Sequence, residues 1–203
     1  EASEAIEKNV SYNHNEILLK WSGQFDNQKR AYARLILIVP LSLALIFLLL
    51  FWSFGNFRQA WLQMATLPFP VFGGMFALYL TGMTFNVSSA VGFIALFGIF
   101  TMNGVLMISH INHLRGEGEI LIDAVVKGAT HRFRQILMTS TVAILGLVPA
   151  SLSTNIGSDV QRPLATVIVY GLAFGTVITL TVLPALYYML EKKFLNRSNP
   201  EKL

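Results

Sequence analysis

The run VSSAVGFIALFGIFTMNGVLMISHI, residues 87–111, contains no Asp, Glu, Lys or Arg, yet it holds an amide, Asn103, near its middle. A primary amide offers two N–H donors and an oxygen with two lone pairs. Inside a long apolar helix those groups need a neighbouring helix or a hydrated path. A second uncharged polar group, Thr139, falls inside the next apolar run. Chemistry alone allows two readings of the pair: an interhelical hydrogen bond that holds a bundle together, or two seats in a proton-relay network. Metal binding has less support. His110 and His113 are three residues apart, His131 follows, and Met102, Met107 and Met138 supply thioethers of the kind soft metals prefer. No carboxylate or thiolate recurs at a matching spacing. The expectation is therefore interfacial histidines, gap-filling methionines and no metal held by this chain, with Met102, Met107, His110 and His113 as the weak candidates. No H-E-x-x-H, G-x-S-x-G, phosphate-binding glycine loop or pair of intramembrane carboxylates occurs, so the chain does not read as an enzyme.

The elements that must position these residues are membrane helices. The chain has 203 residues, 54% apolar and 13% charged, where soluble domains carry about 25% charged residues. Its net charge of +4 suits helices oriented against anionic lipid better than nucleic-acid binding. The absence of cysteine excludes a disulfide framework and any thiolate ligand or nucleophile. The start, EASEAIEKN, has neither the basic end nor the apolar core of a signal peptide, and a multi-span chain beginning this way reads as a piece of something longer.

Hydropathy and period predict an all-α membrane protein with five transmembrane helices, one amphipathic interfacial helix and a short polar N-terminal lead-in. The lead-in is 1–34, with a short apolar core at 16–23 that reads as a strand, then helical spacing of Phe25, Tyr32 and Leu35. It reads as the remnant of an exported domain and its linker. The spans are expected at about 35–54, 64–82, 87–111, 135–152 and 164–190. Between the third and fourth, Ile120, Leu121, Ala124, Val125 and Gly128 lie opposite Glu119, Asp123 and Lys127, which predicts an interfacial helix over about 117–131. Gly171-x-x-x-Gly175 forms a helix-packing notch, and 191–203 is a polar, basic tail. The connections after the first and third spans, with the tail, hold most of the basic residues, whereas the opposite short loops hold only Arg162. The positive-inside rule then sets the tail in the cytoplasm and the lead-in outside; Lys29, Arg30 and Arg34 are compatible with this if a large exported domain precedes the first span.

Three runs carry a resemblance: GFIALFGIFTMNGVLMISHINHLR (92–115), RFRQILMTSTVAILGLVPASLST (132–154) and GSDVQRPLATVIVYGLAFGTVITLTVLPALY (157–187). Together they resemble the last five membrane helices of the resistance-nodulation-division efflux pumps. GFIALFGI and SDVQRPLAT are most like the heavy-metal branch. The resemblance runs over about 21–193 and matches roughly the last fifth of such a pump. It implies a proton-driven antiporter of the bacterial inner membrane, working as a homotrimer with a periplasmic adaptor and an outer-membrane channel, carrying metal cations and needing no cofactor beyond the proton gradient. Asn103 matches the family's asparagine in this helix, Thr139 the relay threonine of the next, and Arg132 the arginine at its cytoplasmic entrance. Met102 falls where multidrug members have a relay lysine. The family's essential carboxylates lie on a helix of the other half, and its substrate path lies mainly in large periplasmic domains, neither of which this chain carries. The alternatives are a pump of the same superfamily for organic substrates, against which Met102 and the QRPLAT run argue, and a non-transporting membrane remnant, which the uncharged spans would suit. Among metals, the lack of an acidic or thiolate group near Met102 favours zinc, cobalt, cadmium or nickel over copper or silver.

Overall fold

The computed structural model describes residues 24–155 and 157–198, with side chains described over 35–155 and 157–194. Its helices are α1 (Gln24–Phe54), α2 (Phe57–Thr66), α3 (Pro68–Leu80), α4 (Val87–Gly116), α5 (Leu121–Leu152) and α6 (Ser158–Ser198). No strand occurs among the described residues; the strand expected at 16–23 lies outside them. Among the described residues, five stretches are long and apolar enough to cross a membrane: Leu35–Phe54, Phe57–Leu80, Val87–Gly116, Leu121–Leu152 and Ser158–Phe194.

The breaks between helices follow from local chemistry. Gly55 adopts φ +63° and Gly118 φ +96°, left-handed conformations that stop α1 and separate α4 from α5. Pro68 opens α3 without an N–H to donate, so α2 and α3 join as one bent span. Asn86 starts α4 with a reciprocal capping box: its Oδ1 accepts from the Ser89 N–H at 2.9 Å, and its own N–H donates to Ser89 Oγ at 2.9 Å.

The interior of the bundle is α4, α6 and the α2–α3 pair; α1 and α5 flank it and leave most of their surface uncovered. One core joins Leu67, Leu78, Phe93, Leu96, Phe97, Phe100, Val167, Ile168 and Leu172. Another, toward the end where α4 stops, joins Leu62, Met107, Ile108, Ile111, Leu121, Ala124, Ile136, Leu183 and Tyr187. Large apolar side chains such as Leu37, Trp52, Phe76, Tyr79 and Val142 remain exposed on the outside. In water such a surface would aggregate, whereas hydrocarbon solvates it.

One element differs from the sequence reading. The amphipathic segment expected at 117–131 is not a separate interfacial helix, because α5 runs unbroken from Leu121 to Leu152. Nothing between the two parts stops the backbone ladder, and Gly128 sits in the helix with its α-carbon against Ile111. Its apolar stripe, Leu121, Ala124 and Val125, packs on Ile108 and Ile111 of α4 in place of lipid. The second span likewise begins earlier than expected, since the segment from Phe57 is helical, and α6 continues past 190 to Ser198.

Candidate functional site

Asn103 sits on α4 near its midpoint and is 6% exposed. Close packing of α4 on its neighbours fixes its level. Gly92 faces the Leu164 backbone, and added Cβ atoms on Gly171 and Gly175 of α6 would meet Leu96 and Phe100 of α4 and also Pro70 of α3. The notch Gly171-x-x-x-Gly175 therefore lies at the junction of three helices, where a side chain would force them apart.

The expected partner of Asn103 does not engage it in this structure. The Thr139 hydroxyl serves its own helix, bonding the carbonyls of Gln135 and Ile136 at 3.1 Å each, and no side-chain hydrogen bond to Asn103 forms among the described residues. One residue on, α5 makes a buried polar contact with α6: Thr176 donates to Ser140 at 2.8 Å. Arg132 lies about three turns into α5, where its Nη1 bonds Gln135 Oε1 while its Nε is buried without a partner.

The thioethers do not converge. Met102 is 62% exposed and Met138 also points outward, whereas Met107 is fully buried in the core. His110 and His131 meet across α4 and α5, Nε2 to Nδ1 at 3.3 Å, while His113 turns to Glu117 at 3.4 Å. No group of three or more His, Cys, Asp or Glu side chains able to hold a metal forms among the described residues.

A polar knot that the sequence did not reveal closes the α4 end of the bundle. Gln59 and Asn112 form a double amide bond: Gln59 Nε2 donates to Asn112 Oδ1 at 3.0 Å, and Asn112 Nδ2 to Gln59 Oε1 at 2.8 Å. The Tyr187 hydroxyl donates to the same Asn112 Oδ1 at 2.6 Å. Beside it, the buried Glu191 carboxylate accepts from Arg115 Nη1 at 3.1 Å and faces Arg58 Nη1 at 3.9 Å. Arg58 in turn lies over the Phe194 ring at 3.7 Å. Arg58, Gln59, Asn112, Arg115 and Glu191 line a pocket of ≈ 690 Å³, and the knot pins α2, α4 and α6 together. The arrangement is a clamp: its one carboxylate, Glu191, faces both Arg58 and Arg115.

The AcrB/AcrD/AcrF family model matches residues 1–191 of this chain. The chain belongs to the AcrB/AcrD/AcrF family. Within the resistance-nodulation-division efflux pumps, its relatives set it on the heavy-metal branch. Protein HelA of Legionella pneumophila is 47% identical over 188 residues, covering 91% of this chain and 18% of that protein. The cobalt-zinc-cadmium resistance protein CzcA of Cupriavidus metallidurans is 44% identical over 175 residues, covering 86% of the chain and 16% of the relative. Among solved structures, the crystal structure of a heavy metal efflux pump superposes with a TM-score of 0.75 at 52% identity, covering 94% of this chain and 19% of that one. The chain thus spans less than a fifth of the length of these family members.

Other polar residues of this family member went unnoticed in its sequence. Gln59, Gln63 and Thr66 fall at i, i+4 and i+7 and all are buried. That spacing in a helix whose far side carries Phe57 and Trp61 was the available signal; Gln59 and Gln63 instead fall before the span expected at 64–82 because they lower the local hydropathy.

Proposed function

We propose that this chain supplies membrane helices of a proton-driven heavy-metal cation efflux transporter. The observation that carries the reading is Asn103. It is a buried amide at mid-helix with no side-chain partner among the described residues. It lies in a chain whose five apolar runs, 35–54, 64–82, 87–111, 135–152 and 164–190, contain no charged residue. A polar group kept at that depth needs a partner, and a carboxylate on a membrane helix outside this sequence supplies one. In this reading Asn103 and Thr139 are relay seats on adjacent helices, and Arg132 stands at the cytoplasmic mouth. Protonation of the carboxylate changes which of them it engages, the helices shift, and the periplasmic part cycles between uptake and release.

The same reading sets the protein in the bacterial inner membrane as a homotrimer, joined to a periplasmic adaptor and an outer-membrane channel, with no cofactor beyond the proton gradient. The clustering of Arg58, Arg115, Arg132, Arg134, Lys192 and Lys193 toward one side supports a cytoplasmic C-terminal end and a periplasmic N-terminal end. The names of the relatives support zinc, cobalt, cadmium or nickel as cargo. The outward Met102 and buried Met107 offer no thioether path for copper or silver. The test is complementation of a strain lacking the full transporter gene. Restored growth in zinc, cobalt, cadmium or nickel, without protection against organic dyes, is the expected result; protection against dyes alone would favour an organic-substrate pump.

A further inference from the structure

Gln63 on α2 is fully buried, and neither its Nε2 nor its Oε1 has a hydrogen-bond partner. Its polar neighbours on the same face are satisfied: Gln59 is locked to Asn112, and Thr66 donates to the Gln63 carbonyl at 2.7 Å. The open amide is therefore local to Gln63. Its level is set by contact with Gly104, the residue after Asn103. A Cβ on Gly104 would overlap the Gln63 amide, so α4 carries a glycine where that amide rests.

Each choice is unfavourable alone. An unpaired amide in the interior gives up hydrogen bonds to water, and a glycine inside a helix loosens the backbone. Meeting at one place, they form a polar niche in an otherwise apolar seam. Thr101 adds an independent sign. The hydroxyls of Thr81, Thr130, Thr139, Thr179 and Thr181 all donate to the carbonyl four residues back, the ordinary refuge of a helical threonine. The Thr101 hydroxyl is buried and does not. Residues 101 and 104 are one turn apart on the same flank of α4. Thr101 and Gln63 thus set two unpartnered polar groups on one flank of α4, within a turn of Asn103 along the helix.

We propose that Gln63 is a positioning residue for the coupling step, holding internal water against the Gly104 flank of α4, at the level of Asn103. Its two donors and its oxygen, with the Thr101 hydroxyl, supply the two to four polar contacts that a buried water requires. That water hydrates the inner flank of α4 at the relay's level, on the α2 side. The functional half of this inference rests on the proton-coupled transport proposed above; the hydration half does not.

The test has two arms on the full-length transporter. A high-resolution map should show ordered solvent within hydrogen-bond distance of the Gln63 amide; an amide bonded only to protein groups, or a dry niche, overturns the proposal. In proteoliposomes, Gln63→Met keeps length and removes polarity. It should leave the melting temperature unchanged or higher while cutting proton-driven zinc transport about tenfold, the equivalent of one hydrogen bond in the limiting step. Gln63→Glu keeps length and polarity and should restore transport toward wild type. Wild-type transport by Gln63→Met, or equal loss in both variants, overturns the functional half. If the wild-type protein itself moves no zinc on a proton gradient, the proposed function has failed, and the solvent map still decides the hydration.

Discussion

The clamp formed by Gln59, Asn112 and Tyr187 makes a graded prediction. Asn112→Leu removes three hydrogen bonds, two with Gln59 at 2.8 and 3.0 Å and one from Tyr187 at 2.6 Å. Side-chain hydrogen bonds in membrane bundles contribute about 0.6 kcal/mol on average and up to about 1.7. Three of them amount to about 2 kcal/mol, and stranding the buried Gln59 amide adds a further penalty of about 1–3 kcal/mol. The single variant should lose about 3–5 kcal/mol. Gln59→Leu leaves Asn112 Oδ1 bonded to Tyr187 and should cost about 2–3 kcal/mol, and Tyr187→Phe about 1 kcal/mol. The decisive variant is the double one. Replacing both amides by leucine removes the stranded partner, so Gln59→Leu with Asn112→Leu should cost about 2–3 kcal/mol, well short of the sum of the two singles. The assay is reversible unfolding in mixed micelles with rising dodecyl sulfate, followed by circular dichroism. Additivity of the two single costs within about 0.5 kcal/mol would show that the amides do not stabilise each other, and would refute the reasoning.

Three further outcomes follow from the packing and the caps. Gly104→Ala places a methyl group where the Gln63 amide lies and should destabilise by about 1–3 kcal/mol; combining it with Gln63→Ala should recover most of that loss in the same unfolding assay. Glu191→Ala leaves Arg115 without its carboxylate partner. Since the Arg115 side chain is 25% exposed, the loss should be about 1.5–3 kcal/mol, and a melting temperature unmoved by the substitution would contradict the assigned contact. Asn86→Ala removes the acceptor of the α4 capping box and should cost about 1 kcal/mol, seen as faster amide exchange in the first turn of α4.

The positions of the spans were legible in the sequence because long uncharged runs have few other structures open to them. Their ends were less so. The stripe of Leu121, Ala124 and Val125 has the same period whether lipid or a neighbouring helix covers it, and here Ile108 and Ile111 do. The start of α2 read as lying outside the second span because Arg58, Gln59 and Gln63 lower its hydropathy, although the Gln59 and Gln63 side chains are buried in protein. Asn103 stood out because its surroundings in sequence are apolar. The clamp did not, since Gln59 and Asn112 are 53 positions apart and Asn112 and Tyr187 are 75 apart. Only the fold brings those amides together, and no local pattern records the meeting. The pairing of Asn103 with Thr139, inferred from adjacent helices, is not formed here, because a helical threonine satisfies its hydroxyl on its own backbone.

The measurement closest to the central claim is zinc movement by the full-length transporter in proteoliposomes under an imposed pH gradient, for wild type and Asn103→Leu. The account predicts zinc transport that follows the gradient and collapses with it in the wild type. It also predicts a loss of about tenfold or more in Asn103→Leu at equal folded abundance. Zinc movement indifferent to the gradient, or an Asn103→Leu protein that transports as well as wild type, would contradict it and return Asn103 to a packing role.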